Sequence, residues 1–225
     1  HAGDTNRVSV HSSGAEGNGG SYSSSLTEEG RFIAFTSEAS NLVDDDVNGV
    51  SDVFVHDRLT GETTRDSVDS LGVEGNGLSR SPSISADGRF VAFVSEATNL
   101  IAGDTNAFAD VFVHDRETGE TSRVSVASSG SEGNEVSDLP SISADGRFVA
   151  FQSLASDLVA SDVNQVLDVF IHDRQTGETA RVSVDSSGSE ASSGSLGPSL
   201  SADGRIVAFR SDASDLVAGD MNSTS

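Results

Sequence analysis

A chain of 225 residues with 36 acidic side chains against 13 basic ones, every one of them Arg, carries a formal charge of −23. That balance repels phosphate backbones and anionic lipid headgroups, so nucleic acid and membrane surfaces are disfavoured as partners and cations are favoured. Cys is absent, which removes disulfides and thiolate chemistry, and no apolar run approaches the roughly 20 residues of a spanning helix.

The first residue is His rather than Met, and the chain reads as processed or excised, with any targeting segment already gone. Residues 1–10 align with 59–68, Gly3 on Gly61 and Arg7 on Arg65, so the chain opens late in a repeat. A Ser/Gly/Asn-rich connector follows at 11–22 and returns at 69–79, 127–138 and 185–197, each copy with a Glu in register: Glu16, Glu74, Glu132 and Glu190. Residues 82–85 and 89–95 then predict two strands around Asp87-Gly88, a strong hairpin signal. A long loop at 96–109 leads to a third strand at 110–116, and Thr118-Gly119 turns the chain into a fourth at 121–126.

The turn glycine recurs at Gly30, Gly88, Gly146 and Gly204, a constant step of 58 residues, which marks an architecture whose units bury themselves against neighbours. Strands two and three carry apolar residues on both faces (Phe90, Val91, Ala92, Phe93; Val111, Phe112, Val113), as a sheet packed between sheets requires. A two-sheet sandwich is the alternative, but it has no reason to repeat its turns at one spacing. The expectation is all-β: a β-propeller of four 58-residue, four-stranded blades forming one domain over 1–225, with units at about 11–68, 69–126, 127–184, and 185–225 plus 1–10.

Four periods exceed the chain by seven positions, the counterpart of Asp52-Val-Phe-Val-His-Asp-Arg58. The last blade is therefore expected to lack one strand and to be closed by the N-terminal strand at 7–10. The open slot reads either as a cut in a longer protein or as a place where a strand of another chain adds by β-augmentation.

The run Ser85-Ala-Asp-Gly-Arg-Phe-Val-Ala-Phe93, followed by Asp110-Val-Phe-Val-His-Asp-Arg116-x-Thr-Gly-Glu-Thr121, resembles the PD40, or TolB-like, family of WD40-like β-propeller repeats. The resemblance extends over essentially the whole chain, although Thr27-Glu-Glu-Gly30 departs from it in the first unit. It implies a propeller. The family's members include binding platforms, peptidase-associated domains and lyases, so it implies no single activity.

The long loops hold Asp46, Asn48 and Asp52; Asp104, Asn106 and Asp110; Asp162, Asn164 and Asp168; and a truncated Asp220-Met-Asn222. Oxygen donors at positions one, three and seven of a loop suit Ca²⁺, so these nine complete-set residues are candidate metal ligands and Ca²⁺ the candidate cofactor. The same residues also suit Asx turns leading into the third strand.

His56, His114 and His172 stand beside Asp57, Asp115 and Asp173, but neighbours along a strand face opposite ways, so these pairs read as blade-building rather than as a base and its orienting acid. The same holds for the repeated Arg31, Arg89, Arg147 and Arg205, and for Arg65, Arg123 and Arg181. The unrepeated residues are more telling: His11, Tyr22, Asp66, Arg80, Phe108, Glu135 and Asp138, of which Tyr22 and Arg80 are placed to line a central pocket. No nucleophile elbow, zincin motif or phosphate loop occurs, and no catalytic residue is assigned.

The function expected from these features is a non-catalytic, exported binding or scaffold propeller, braced by calcium and recognising a protein or peptide. Its location would be secreted, cell-surface or periplasmic in a bacterium or archaeon. Three alternatives stand beside it: a carbohydrate-binding propeller, against which count the missing Trp and single Tyr; a fragment of a propeller-type lyase or hydrolase; and a subunit of a ring or filament, a homo-oligomer assembled by strand addition at the open blade.

Overall fold

The computed structural model describes residues 5–220. Three four-stranded antiparallel sheets follow one another, each in simple sequence order. The first holds β1 (Ser21–Leu26), β2 (Phe32–Ser37), β3 (Asp52–Asp57) and β4 (Glu62–Arg65). The second holds β5 (Ser79–Ile84), β6 (Phe90–Ser95), β7 (Asp110–Asp115) and β8 (Glu120–Arg123). The third holds β9 (Ser137–Ile142), β10 (Phe148–Ser153), β11 (Asp168–Asp173) and β12 (Glu178–Arg181). A fourth sheet has β13 (Ser195–Leu200) and β14 (Val207–Ser211). The fold is all-β and of the propeller type, with each sheet a blade.

The middle strands form because their β-branched and aromatic residues are buried on both faces. Val91, Ala92, Phe93 and Val94 of β6, and Val111, Phe112 and Val113 of β7, are all fully buried. Cross-strand register pairs Phe35 with Phe54, Phe93 with Phe112 and Phe151 with Phe170, and these rings stack at 5.9, 6.0 and 5.8 Å between centroids. Such pairs contribute about 0.5–1.5 kcal/mol beyond their area burial.

Adjacent blades are fastened by the same atoms each time. The amide of Ile84 donates to Ser25 Oγ at 3.2 Å, that of Ile142 to Ser83 at 3.1 Å and that of Leu200 to Ser141 at 2.9 Å. The turn glycines supply the second fastening. Gly88, Gly146 and Gly204 adopt positive φ and lie flat on Phe32, Phe90 and Phe148 of the preceding blade, where a Cβ would fall 2.1–2.3 Å from the ring. These glycines therefore serve the turn and the blade boundary together. The departing turn at Thr27 closes like the others, with the Gly30 amide on the Thr27 carbonyl at 2.7 Å.

The last blade differs from the sequence expectation. Its sheet ends at β14, two strands among the described residues rather than three, and residues 5–10 join no strand of it. An outer strand needs a third strand to hydrogen-bond to, and none is present beside β14 among the described residues. Residues 10–12 instead dock on β4: Thr63 Oγ1 donates to the Val10 carbonyl at 2.5 Å, and the Thr63 amide donates to Ser12 Oγ at 3.0 Å. The next connector repeats this on β8, through Thr121, Val68 and Ser70. Residues 1–4 and 221–225, including Asn222 of the truncated fourth loop, lie outside the described residues.

Candidate functional site

Two features gather at the long-loop end of the blades. The first is the set of acidic loops. Asp46 and Asp52 come together as expected, and Glu74 of the connector joins them, the three carboxylates offering oxygens within 4.8 Å of one another. The equivalent residues, Asp104, Asp110 and Glu132 in the second blade and Asp162, Asp168 and Glu190 in the third, gather around one guanidinium nitrogen instead.

A guanidinium stands among these oxygens. Arg123 Nη1 lies 2.8 Å from Glu132, 3.0 Å from Asp110 and 3.5 Å from Asp104. Arg181 makes the same three contacts with Glu190, Asp168 and Asp162 at 2.7, 3.4 and 3.5 Å. Arg65 holds Glu74 at 2.8 Å and Asp45 at 3.4 Å. The asparagines turn their carbonyl oxygens to the backbone: Asn48 Oδ1 accepts from the Val50 amide at 2.9 Å, and its Nδ2 donates to Asp52 at 2.8 Å. Asn106 and Asn164 do the same. As placed, each asparagine closes an Asx turn through Oδ1, and a guanidinium stands among the carboxylates of the second and third sets but reaches only Glu74 and Asp45 in the first.

Burial shapes the electrostatics of these clusters. It raises the Asp46, Asp104 and Asp162 carboxyls, and it pushes Asp52 up to about 6, against the opposing bonds from Ser67 and Asn48. An acid raised in this way weighs against folding above that pH and does so less as pH falls toward the ordinary carboxylate range. Glu132 moves the other way, lowered by the Thr105 hydroxyl and amide and by Arg123. The signals that point to this arrangement were in the sequence: the Glu in constant register and the Arg of the outer strand share the period of the Asp-x-Asn loops.

The second feature is a cavity of about 310 Å³ bounded by all four inner strands, through Ser23, Ser24, Ser81, Pro82, Leu139 and Gly197. Each inner strand bulges there, and residues 23, 81, 139 and 197 take positive φ (49, 55, 50 and 65°) although only the last is Gly. Such a bulge re-aims the neighbouring side chain. The re-aimed positions are Tyr22, Arg80, Asp138 and Leu196, and their cross-strand partners are Thr36, Val94, Gln152 and Arg210.

At both positions the four units all differ, while Ser21, Ser79, Ser137 and Ser195 beside them are identical. Arg80 and Asp138 pair across blades at 2.5 Å, each little more than a quarter exposed. The Tyr22 hydroxyl lies 2.9 Å from Ser51 Oγ, and its ring is half exposed. Gln152 accepts the Gly197 amide at 2.9 Å, and Thr36 Oγ1 is buried without a partner. The structure thus brings Arg80 and Asp138 together, whereas Tyr22 turns to Ser51 and Glu38, and the cavity itself is lined by the bulge residues rather than by these three. Asp66 lies elsewhere, at the outer boundary of the first two blades, beside Arg116.

The repeated histidines are structural. Each donates or accepts through Nδ1 with a threonine hydroxyl at 2.9 Å, Thr63, Thr121 or Thr179. Their neighbouring aspartates take bidentate bonds from Arg31, Arg89 and Arg147, which hold Asp57, Asp115 and Asp173 well below the usual carboxylate range.

No family model and no curated protein sequence matches the chain. Solved structures do. TolB of Acinetobacter baumannii superposes with a TM-score of 0.51 at 20% identity, over 85% of this chain and 37% of that one. A putative TolB from Agrobacterium tumefaciens gives 0.51 at 18%, over 85% and 58%. A structure described as one of two prolyl endopeptidases gives 0.54 at 17%, over 86% and 26%. The likeness shows a TolB-like propeller fold, and the chain spans about a third to three fifths of the TolB chains' length.

Proposed function

We propose that the chain is a non-catalytic binding scaffold that recognises a protein or peptide at the mouth formed by Tyr22, Arg80, Asp138 and Leu196. One observation carries this reading: the positions that build the blades are repeated, whereas those re-aimed by the bulges differ in every unit. A ring of identical side chains would present one chemistry in several copies. Tyr, Arg, Asp and Leu present four, as recognition of a single irregular partner requires. In this reading Arg65, Arg123 and Arg181 brace the acidic loops in place of calcium, which their distances to the carboxylates support. An exported location belongs to the same proposal, and secretion or periplasmic release of the native protein would test it.

The test of recognition is selection of a random-peptide display library on the immobilised protein. Peptides so selected should lose at least about tenfold in affinity for the Arg80→Gln/Asp138→Asn double variant. They should be indifferent to Arg58→Gln, on the opposite, tight-turn face. Peptides that bind the double variant as tightly as the parent would refute the assignment of the mouth.

A further inference from the structure

The boundary between blades one and two and that between blades two and three are built from the same positions, with two exchanges, Thr64 for Ser122 and Asp66 for Val124. At the first, Asp66 is buried; it accepts from Thr64 Oγ1 at 2.8 Å and meets Arg116 Nε at 3.0 Å. His114 lies close enough for the two groups to perturb one another. At the second boundary Ser122, Val124, His172 and Arg174 take the places of Thr64, Asp66, His114 and Arg116. The carboxylate is gone, and a cavity of about 310 Å³ lies there, walled by these four residues with Asp115, Glu120 and Arg123, the last already held by Asp104, Asp110 and Glu132.

Arg174 is fixed in that wall. Its Nη1 donates to the Gly146 carbonyl at 2.7 Å, and its guanidinium lies 4.5 Å over the Phe90 ring. It makes no ion pair among the described residues; burial disfavours its charge, and the nearby Asp115 and Glu120 favour it. His172 is oriented by Thr179 through Nδ1, so Nε2 remains for another partner, and the Ser122 hydroxyl makes no hydrogen bond among the described residues. A preorganised guanidinium flanked by a hydroxyl and an imidazole suits a carboxylate. Asp115 is already held by Arg89. Glu120 adds negative charge to the wall and so disfavours dianions such as sulfate.

We propose that the cavity between the second and third blades binds a small monocarboxylate in the place that Asp66 fills one boundary earlier, with Arg174 as its main partner and Ser122 and His172 at its flanks. The first boundary is the template: there the protein supplies the carboxylate itself. The site lies on the outer blade boundary, away from the mouth of the inner cavity, and does not depend on what the mouth recognises.

The experiment is an NMR titration of the arginine Nε–Hε signals of the intact chain with sodium acetate, against sodium chloride and sodium sulfate at matched ionic strength and neutral pH. Acetate should shift Arg174 saturably, with chloride and sulfate leaving it in place, and Arg116, already paired with Asp66, should not respond. Val124→Asp recreates the internal pair and should abolish the acetate response of Arg174. Acetate moving Arg174 no more than chloride does, an equal response at Arg116, or an undiminished response in Val124→Asp would each overturn the proposal. Should Val124→Asp fail to fold, Arg174→Gln replaces it: acetate-dependent shifts of the amides of residues 122–124 should vanish, and their persistence would overturn the proposal equally.

Discussion

Gly88→Ala separates what a glycine does for its own turn from what it does for the blade before it. At Gly30 φ is +66°, and the nearest atoms to an added Cβ are Arg58 Nη1 at 3.7 Å and Leu26 Cδ1 at 3.8 Å, ordinary contacts. Alanine there costs only the left-handed backbone, about 1–2 kcal/mol. At Gly88 φ is +76°, and the same Cβ would sit 2.2 Å from Phe32 Cδ2 and 2.7 Å from Cγ. Carbon atoms rest at about 3.5–4.0 Å, so the ring must move by more than about 1 Å. Phe32 is half-buried and sandwiched by Arg31 and Arg116, 4.6 and 5.1 Å from its centroid, so it has little room to move. Overpacking of this kind adds about 1–3 kcal/mol. Urea unfolding should therefore rank Gly88→Ala below Gly30→Ala by about that amount. Phe32→Leu should recover part of the Gly88→Ala loss while being itself destabilising, a favourable coupling in a double-mutant cycle. Equal losses at the two glycines, or additive effects with Phe32→Leu, would show that the boundary contact contributes nothing.

Arg123→Met leaves Asp104, Asp110 and Glu132 facing one another, and losing one partner of a buried pair costs about 3–5 kcal/mol, read as a fall in melting temperature. Calcium should then stabilise this variant, whose carboxylates have lost their cation, and leave the parent no more stable than magnesium does; a calcium-specific rise in the parent would return the Asp-x-Asn loops to metal binding. Acid should unfold the chain through Asp57, Asp115 and Asp173. Their folded pKa values are depressed, so the stability they contribute is full above the unfolded value of about 3.9 and falls as pH drops through the folded ones. Arg89→Gln should flatten that acid limb in urea-midpoint measurements, and an unchanged slope would argue against the pairs. Ser83→Ala removes the acceptor of the Ile142 amide and should lower the midpoint by about 1–3 kcal/mol; an effect no larger than that of an exposed serine would dismiss the boundary bond.

Much of this fold was legible because repetition multiplies weak signals. One Asp-Gly between apolar runs is a hint; four glycines at one spacing are an architecture, and the strands, turns and blade order followed from them. The acidic loops were located correctly, but their chemistry depended on where Arg65, Arg123 and Arg181 pointed. A list of oxygen donors looks the same whether a metal or a guanidinium stands among them, and only the folded register brings the outer-strand Arg across to the loop. The place of the N-terminal segment was hard to read for a related reason. Aligning Arg7 on Arg65 assigns a strand identity, but hydrogen bonding needs a neighbour, and β14 has none beyond it among the described residues. The bulges were invisible, since Ser23, Ser81 and Leu139 are not residues from which positive φ is inferred.

The glycine-on-phenylalanine boundary also bears on how the chain is made. Each ring stands in the blade that leaves the ribosome first, and each glycine that lands on it arrives with the next. A finished blade is thus a template for its successor, and nearly every pairing joins segments of the same or the adjacent unit. For an all-β protein this keeps chain closure local, the condition under which folding can keep pace with synthesis and no long sheet edge has to wait for a distant partner.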